Sequence, residues 1–474
     1  MIKNMPNLKE AQKRGQNDVR VIEDSFYIPT MMNNIGEGKY YHIVTYGCQA
    51  NERDSETMNG ILETLGYTST DDVDQASVIL LNTCAIRENA EQKVFGKVGA
   101  IKHIKRDNPE VIFGICGCMP QEEKTVNEIL EKYHHIDIVF GTHNINQLPS
   151  LLMEAMQSKA TIVDVLSQEG DVFENLPTRR ESKIKGWVNI IYGCDKFCTY
   201  CIVPYTRGRE RSRLIESILE EVQELKDANY KEITLLGQNV NAYGKDLKED
   251  YDFATLLEEV AKIGIERVRF MTSHPWDFSD EMIDVIAKYD NIMPFIHLPV
   301  QSGNNDILKI MNRQYTVEEY RTLYDKIKAA KPNVSFSTDV IVGYPNESEE
   351  QFLETLELME YCKFDNAFTF VYSPRTGTPA AKMDDNVPLE EKQDRLQRLN
   401  KVVNKHMSAR SLRFDQEVLK VLVEGPSKKN DKVLSGYTEH NKLVNFKGDK
   451  SLIGQIIELK IIEVKTWSMS GEMI

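Results

Sequence analysis

Residues 192–201 read YGCDKFCTYC and place Cys194, Cys198 and Cys201 in the spacing C-x3-C-x2-C, directly after a predicted strand. Thiolates favour zinc and iron-sulfur clusters, and a loop this compact lets three sulfur atoms converge on one face of a cubane. Four ligands are normally needed, and no fourth cysteine is near in the sequence. The motif therefore predicts a cluster with one iron open to an outside ligand, or else a structural zinc site whose fourth ligand is distant.

The sequence around this loop repeats a strand and helix pattern. Its predicted strands, separated by stretches long enough for a helix, are residues 187–192, 232–236, 268–272, 295–298, 335–342 and 368–372. Six such units predict an incomplete version of the eight-unit βα barrel over residues 180–410, with functional groups at the carboxyl ends of the strands. Polar side chains at those ends are candidates for cofactor binding, with a capping or turn-stabilising role as the alternative. They are Gln238, Asn239, Ser273, His297, Gln301 and Asp339.

A second α/β pattern precedes the barrel, over residues 39–157. Strands are predicted at 41–45, 78–82, 111–115 and 136–140, with helices between them, which indicates a parallel sheet. Cys48, Cys84 and Cys118 each follow one of these strands. Because parallel strands bring their carboxyl ends to one edge, these thiols are expected to converge and to hold a second cluster. The alternative is that they are ordinary buried cysteines, which is the interpretation adopted for Cys116 and Cys362.

The two ends of the chain show different patterns. Residues 1–38 are polar and have no sustained period, which predicts a loosely ordered extension. Residues 413–474 alternate in short runs, at 417–424, 432–437, 442–446 and 456–464, which is typical of a small antiparallel β-barrel. We therefore predict a multidomain α/β protein with an N-terminal parallel α/β domain, a partial (βα)6 barrel and a small C-terminal antiparallel β-barrel.

The composition is that of a soluble protein. The chain has 474 residues, too many for one ordinary core, with 41% hydrophobic and 28% charged side chains. No apolar run reaches the roughly 18 to 20 residues that cross a bilayer, and the N-terminus lacks the apolar stretch of a secretory signal. We therefore expect the cytoplasm and no membrane partner. In that compartment the eight cysteines stay reduced, so clustered ones are better explained as metal ligands than as disulfides.

The net charge of −15 argues weakly against nucleic acid as a partner, because phosphate binding needs counter-charge. The distribution differs from the total, since residues 194–213 carry five basic and two acidic side chains. Arginines in this stretch are predicted to contact phosphate, with a solvated surface as the alternative. Lysines on the terminal barrel are predicted as further RNA contacts. The predicted contacts are Arg207, Arg209, Arg211, Lys420, Lys428, Lys429 and Lys432.

The loop at residues 194–201 resembles the signature of the radical S-adenosylmethionine superfamily, and the chain from about Tyr40 onward resembles the methylthiotransferases within it. The resemblance implies a radical 4Fe-4S cluster that binds S-adenosyl-L-methionine, an auxiliary 4Fe-4S cluster that carries the transferred sulfur, and a C-terminal TRAM domain that binds RNA. The implied ligands are Cys194, Cys198 and Cys201 for the radical cluster and Cys48, Cys84 and Cys118 for the auxiliary cluster.

Several strings are similar to the branch of this family that acts on N6-isopentenyladenosine next to the anticodon of tRNA. They are NERDSE at 51–56, IVPYTRGRE at 202–210, QNVNAYG at 238–244 and SHPWD at 273–277. The similarity implies transfer of a methylthio group to carbon 2 of that base, with an electron donor such as flavodoxin or ferredoxin. Two departures from the family pattern are Tyr437, where arginine is usual, and residues 1–39, which find no counterpart.

Two alternatives stay open from the sequence. Sister branches that act on threonylcarbamoyl-adenosine in tRNA, or on an aspartate of a ribosomal protein, share both cysteine motifs. A noncatalytic RNA-binding protein with structural zinc is the alternative outside the enzymes.

Overall fold

A computed structural model describes residues 1–13, 21–22, 26, 28, 30–85, 88–168, 170–248, 251–428 and 430–474. Lys429, one of the predicted RNA contacts, lies outside the described residues. The chain divides into two compact units. The first comprises Met1–Glu181, Ile191–Asp195 and Cys201–Ser217, and the second comprises Ser182–Ile190, Lys196–Tyr200 and Ile218–Ile474.

The first unit is built around a parallel β-sheet. Its strands, numbered in chain order together with the other described strands, are β1 (Ile2–Asn4), β3 (Tyr40–Tyr46), β4 (Thr68–Ser69), β5 (Ala76–Thr83), β6 (Ile112–Gly117), β7 (Ile138–Phe140) and β8 (Ile162–Asp164). They lie side by side in the order β1-β8-β7-β6-β5-β3-β4. Two short pairs complete the strands of this unit: β2 (Val21–Ile22) with β9 (Val172–Phe173), and β11 (Ile191–Tyr192) with β12 (Arg211–Ser212).

Helices cover both faces of this sheet. The helices of the first unit are α1 (Leu8–Lys13), α2 (Gln49–Thr64), α3 (Glu88–Asp107), α4 (Glu123–Lys132), α5 (Leu148–Gln157) and α6 (Val203–Thr206). Successive side chains of a strand point to opposite faces, so Val78 and Leu80 pack with α2 and α5, while Ile79 and Leu81 pack with α3 and α4. The predicted N-terminal parallel α/β fold is confirmed, and β4 and β8 are strands that the sequence pattern missed.

The prediction of a loosely ordered extension is wrong for the first residues of the chain. Ile2–Asn4 form the edge strand β1, which pairs in parallel with β8, and the Asn4 side chain donates a hydrogen bond to Asp164 at 2.7 Å. A strand of three exposed residues shows no period of its own, and its partner lies about 160 positions further on. Nothing local in the sequence therefore marks it.

The second unit contains the predicted barrel strands in two parallel groups, β10 (Lys185–Asn189), β13 (Glu232–Leu236) and β14 (Arg267–Phe270), then β15 (Phe295–His297), β16 (Ser335–Val342) and β17 (Asn366–Val371). The helices from this part of the chain are α7 (Ile215–Asp227), α8 (Phe253–Ile263), α9 (Asp280–Lys288), α10 (Asn305–Ile310), α11 (Val317–Ala330), α12 (Glu349–Cys362) and α13 (Leu389–Ser411). The (βα)6 prediction is confirmed, although the first strand ends at Asn189, three residues before the predicted end.

The C-terminal part of the second unit is a closed barrel of short strands, as predicted, but the prediction of a wholly antiparallel barrel is wrong: Val444–Phe446 pairs in parallel with Met469–Gly471. They are β18 (Val418–Ser427), β19 (Asn430–Thr438), β20 (Leu443–Phe446), β21 (Ile456–Val464) and β22 (Met469–Met473). The alternating positions Val421, Val423 and Leu434 fill its interior. Two buried arginines of β14 donate to backbone carbonyls of this barrel: Arg267 to Lys420 and Tyr437, and Arg269 to Thr438 and Glu439.

Among the described residues, no helix combines the length and apolar character that crossing a membrane requires.

Candidate metal centres

The first cysteine trio lies at the carboxyl ends of three neighbouring strands. Cys48 follows β3 and caps the start of α2, Cys84 follows β5, and Cys118 follows β6. Because β6, β5 and β3 are adjacent in the sheet, the three residues come to one edge, as the sequence predicts. Cys84 and Cys118 are buried, and Cys48 is half-buried.

A side chain that the sequence analysis did not single out lies between two of these thiols. Asn51, in the first turn of α2, accepts a hydrogen bond from Cys48 Sγ at 3.4 Å and directs its amide nitrogen to Cys118 Sγ at 4.0 Å. The same nitrogen donates to Asn82 Oδ1 and to the Thr83 carbonyl. Asn51 stands three positions after Cys48, the spacing of a helix capping box, and that spacing is the signal that could have identified it.

Arg207 is a correction to the predicted phosphate contacts. Its guanidinium is buried and forms an ion pair with Asp54 of α2, with 2.7 Å between Nη2 and Oδ2. Burial alone would lower the pKa of Arg207, but Asp54 and the thiols of Cys118 and Cys48 hold it well above its usual value. The side chain therefore stays charged beside the trio and is not available to RNA.

Two neighbouring arginines, Arg211 and Arg213, are also buried. Arg211 donates to the carbonyls of Gly170 and Arg207, at 2.8 and 3.1 Å, so its predicted phosphate contact is wrong as well. Arg213, counted in the same basic stretch, pairs with Glu174 at 2.6 Å. Arg209 is half-buried, and its contact with RNA stays a prediction. The side chains of Arg207, Arg211 and Arg213 therefore bind groups inside the first unit and are not exposed on its surface.

The second trio lies on the loop that follows β11. In the first unit, the Cys194 amide donates to the Gly208 carbonyl at 3.1 Å, and Asp195 and Glu210 each accept from the amide of the other. Cys194 and Cys201 are half-buried.

In the second unit, buried Cys198 Sγ accepts from Arg313 Nη1 at 3.4 Å. The Asn312 side chain holds the adjacent backbone by donating to the carbonyls of Lys196 and Phe197. Phe197 adopts a positive φ of 48°, which is uncommon for a residue other than glycine.

The chemistry of the donors fits iron-sulfur clusters. In a cubane each protein thiolate binds its own iron, so three cysteines leave one iron open to another ligand. Two trios of thiols, each with a buried guanidinium beside one of its members, match that requirement.

The predicted cofactor contacts at the barrel strand ends fall into two groups. After β13 and β14, Asn239 donates to Asp277 at 2.6 Å, while Asn239 Oδ1 and Ser273 Oγ are buried without a hydrogen-bond partner in the described chain. Asn241 Oδ1 and His274 Nε2 are also buried without a hydrogen-bond partner among the described residues. Buried polar atoms normally have partners, so this group suits a bound ligand. Gln238 is half-buried beside them.

The other group lies at the ends of β15 and β16. His297 shares a hydrogen bond with Ser337 Oγ at 2.8 Å and approaches Asp339 Oδ1 at 3.6 Å. Gln301 is buried with a positive φ of 73°, and its backbone pairs with that of β16. A strained backbone at a strand end is a feature of ligand sites, so these residues remain predicted cofactor contacts.

The predicted RNA contacts on the terminal barrel are on its surface. Lys420 on β18, Lys428 in the turn and Lys432 on β19 are exposed. Tyr437, which replaces the arginine usual in the family, lies with its ring 5.6 Å from Lys185 Nζ. A positive charge therefore lies beside the ring of Tyr437, although the tyrosine itself is uncharged.

Family models match three separate stretches of the chain. Residues 188–359 match the radical SAM superfamily, residues 40–141 match the family described as Uncharacterized protein family UPF0004, and residues 413–474 match the TRAM domain.

Relatives match nearly the whole chain, so the expectation that residues 1–39 find no counterpart in the family is wrong. A tRNA-2-methylthio-N(6)-dimethylallyladenosine synthase from Bacillus licheniformis is 58% identical over 470 residues, covering 99% of this chain and 92% of the relative. Synthases of the same name from Staphylococcus epidermidis and Staphylococcus aureus are 57% and 58% identical, each covering 99% of this chain and 91% of the relative.

Solved structures are similar in fold. TsrM from Kitasatospora setae, a radical S-adenosylmethionine methyltransferase with cobalamin and a 4Fe-4S cluster bound, matches with a TM-score of 0.53 at 14% identity, covering 72% of this chain and 77% of that chain. The cobalamin-dependent radical enzyme OxsB matches with a TM-score of 0.50 at 13% identity, covering 78% of this chain and 56% of that chain.

Proposed function

The chain belongs to the tRNA-2-methylthio-N(6)-dimethylallyladenosine synthase family, and on this premise we propose that it transfers a methylthio group to carbon 2 of N6-isopentenyladenosine next to the anticodon of tRNA. Carbon 2 of adenine bears an unactivated C–H bond, and acid and base groups offer no route to it at neutral pH. Radical chemistry is therefore required, and a cofactor must supply it.

The observation that carries this function is the pair of cysteine trios. One is held on a single loop after a barrel strand, and the other converges at the ends of three parallel strands around Asn51. Sulfur insertion needs both a radical source and a sulfur donor, and two distinct thiol sets supply a place for each.

The cofactors are S-adenosyl-L-methionine and two 4Fe-4S clusters. We assign the radical cluster to Cys194, Cys198 and Cys201, and the auxiliary cluster to Cys48, Cys84 and Cys118. When bound, the radical cluster supplies the electron that splits S-adenosyl-L-methionine, and the auxiliary cluster supplies sulfur. Unpartnered Asn239 Oδ1 and Ser273 Oγ offer hydrogen-bonding positions to the cofactor or the base, as do Gln238, His297, Gln301 and Asp339. Their task is to orient the reactants and exclude water.

The partners follow from the same proposal. Exposed Lys420, Lys428 and Lys432 contact tRNA phosphates, together with Arg209, and a small reductant such as flavodoxin or ferredoxin delivers the electron in the cytoplasm. The proposed domains are residues 39–157, 180–410 and 413–474, and the order of the stretches that family models match supports this division.

The test is nucleoside mass spectrometry of tRNA from a strain that lacks the gene, complemented with wild-type protein, Cys48→Ala or Cys194→Ala. Wild type restores the methylthio group on isopentenyladenosine, and neither variant does. Anaerobically reconstituted wild-type protein holds about eight irons per chain and each variant about four.

Two results would overturn the proposal. Restoration of the methylthio group on threonylcarbamoyl-adenosine, with isopentenyladenosine unmodified, would move the chain to a sister branch. A colourless protein with stoichiometric zinc after strictly anaerobic reconstitution would indicate a structural metal site.

A further inference from the structure

Each cysteine trio is accompanied by one buried arginine. Arg207, beside the auxiliary trio, is 7% exposed, and Arg313, beside Cys198 of the radical trio, is 4% exposed. Burial of a guanidinium is unfavourable unless nearby groups offset the charge, so both positions need an explanation. Arg313 follows α10 and lies 115 positions from Cys198 in sequence, and no motif linked the two.

Arg207 reaches the auxiliary trio through the packing of α6. That helix lies against Met119–Gln121, the turn that begins at Cys118, and the Thr142 hydroxyl fixes it by donating to the Thr206 carbonyl at 2.7 Å. Arg207 ends this helix, since its amide donates to the Val203 carbonyl at 2.8 Å. Its guanidinium pairs at 2.7 Å with Asp54 of α2, the helix that Cys48 caps. Arg207 therefore connects the elements that carry Cys118 and Cys48.

Arg313 differs from Arg207 in its partners, which include no carboxylate within the part of the chain that the structure describes. In the described chain its partners are the Tyr315 hydroxyl at 2.9 Å, the Pro299 carbonyl at 2.8 Å and Cys198 Sγ at 3.4 Å. Tyr315 is itself held, since its hydroxyl donates to the Val300 carbonyl at 2.8 Å. The positive charge is thus fixed in place, and no acidic side chain of the described residues pairs with it.

We propose that Arg313 and Arg207 set the reduction potentials of the radical and auxiliary clusters separately, with the larger upward shift at the radical cluster because Asp54 attenuates Arg207. This inference rests on the proposed function, which requires both clusters. Reduction adds negative charge to a cluster, so a nearby fixed cation stabilises the reduced form and raises the potential. Because Asp54 offsets the charge of Arg207, the reduction potential is raised more at the radical cluster. The electron is therefore delivered preferentially to the cluster that must split S-adenosyl-L-methionine.

The test uses two full-length proteins that each keep one trio. The radical-only protein carries Cys48→Ala, Cys84→Ala and Cys118→Ala, and the auxiliary-only protein carries alanine at the other three ligands. Midpoint potentials are measured by anaerobic redox titration monitored by electron paramagnetic resonance. Arg313→Met is expected to lower the potential of the radical-only protein and leave the auxiliary-only protein unchanged. Arg207→Met is expected to do the reverse, with a smaller shift.

Three further variants test the sign and the role of charge. Asp54→Asn removes the opposing carboxylate and is expected to raise the potential of the auxiliary-only protein. Arg313→Lys and Arg207→Lys keep the charge and are expected to retain both the cluster and most of the potential. A cluster that is lost in the Met variant and retained in the Lys variant supports the requirement for a cation.

An unchanged potential in both Met variants would overturn the inference, as would equal shifts in both single-trio proteins. Loss of the cluster in Lys and Met variants alike would show that these side chains act through shape and hydrogen bonds instead of charge. Iron analysis of the wild type separates this outcome from failure of the proposed function, because a protein that holds only one cluster contradicts that function regardless of either arginine.

Discussion

The two cysteine trios are assembled in opposite ways. Cys194, Cys198 and Cys201 belong to one loop of eight residues, whereas Cys48, Cys84 and Cys118 come from the ends of three strands and meet because the sheet places those strands side by side. The arrangement of the loop trio is encoded by spacing, and that of the other three cysteines, which we call the dispersed trio, is encoded by strand order and register. The loop trio therefore needs few supports, while the dispersed trio depends on every element that sets the sheet edge.

Both trios nevertheless depend on a glycine at the turn that carries them. Gly117 precedes Cys118 with a φ of 96°, and Gly193 precedes Cys194 with a φ of 69°. A Cβ at Gly117 would overlap with Asn82 Oδ1 and the Thr83 carbonyl, and a Cβ at Gly193 would overlap with the carbonyls of Gly208 and Arg209. Only glycine fits these positions without strain.

The largest expected effect is the selective loss of one cluster from each glycine variant. Gly117→Ala should remove about four irons by displacing Cys118, and Gly193→Ala should remove about four by displacing Cys194. The left-handed backbone alone costs alanine about 1–2 kcal/mol, before the overlap is counted. Iron analysis and electron paramagnetic resonance check this. Gly99→Ala, on α3 with open space around its Cβ, is the control, and loss of both clusters from either turn variant would contradict independent assembly.

Asn51 provides the next test, because it bridges two thiols of the dispersed trio, Cys48 and Cys118. Asn51→Ala leaves Asn82 Oδ1 and the Thr83 carbonyl without the Asn51 donor, which should lower the free energy of unfolding by about 1–3 kcal/mol. The auxiliary cluster should load incompletely while the radical cluster loads fully. Thermal unfolding and iron content measure these effects. Asn59→Ala, on the same helix and bonded to Glu181, should leave cluster loading intact; equal loss in both variants would point to general destabilisation of α2.

Burial of the dispersed trio predicts a pH dependence of cluster assembly. The thiolate is the metal ligand, and burial raises the pKa of Cys118 to about 12, so its thiolate fraction grows about tenfold for each pH unit above neutrality. The auxiliary-only protein should therefore reconstitute faster as the pH rises from 7 to 9, measured by visible absorbance under anaerobic conditions. The radical-only protein serves as the reference for pH effects on the reagents. A flat profile for the auxiliary-only protein would show that deprotonation of Cys118 does not limit assembly.

The same contrast explains what the sequence could predict. Strand and helix periods placed Cys48, Cys84 and Cys118 at strand ends, and the spacing C-x3-C-x2-C identified Cys194, Cys198 and Cys201. The roles of Arg207 and Arg211 were predicted wrongly because charge in a sequence does not show burial: Asp54 and Glu174, which pair with Arg207 and Arg213, lie far from them along the chain. Arg313 escaped notice for the same reason, because its approach to Cys198 depends on the tertiary fold.

The smallest expected effect concerns the loop that carries the radical trio. The Thr199 hydroxyl donates to the Ile310 carbonyl at 2.8 Å and lies 2.7 Å from the Tyr344 hydroxyl. Thr199→Val removes both bonds at nearly constant volume, which should destabilise the second unit by about 1 kcal/mol. Full iron content should persist, because local spacing still presents the thiols. Calorimetry and iron analysis check this, with Thr322→Val on the exposed face of α11 as the control. Loss of the radical cluster from Thr199→Val would mean that this trio, like the dispersed one, depends on tertiary support and not on spacing alone.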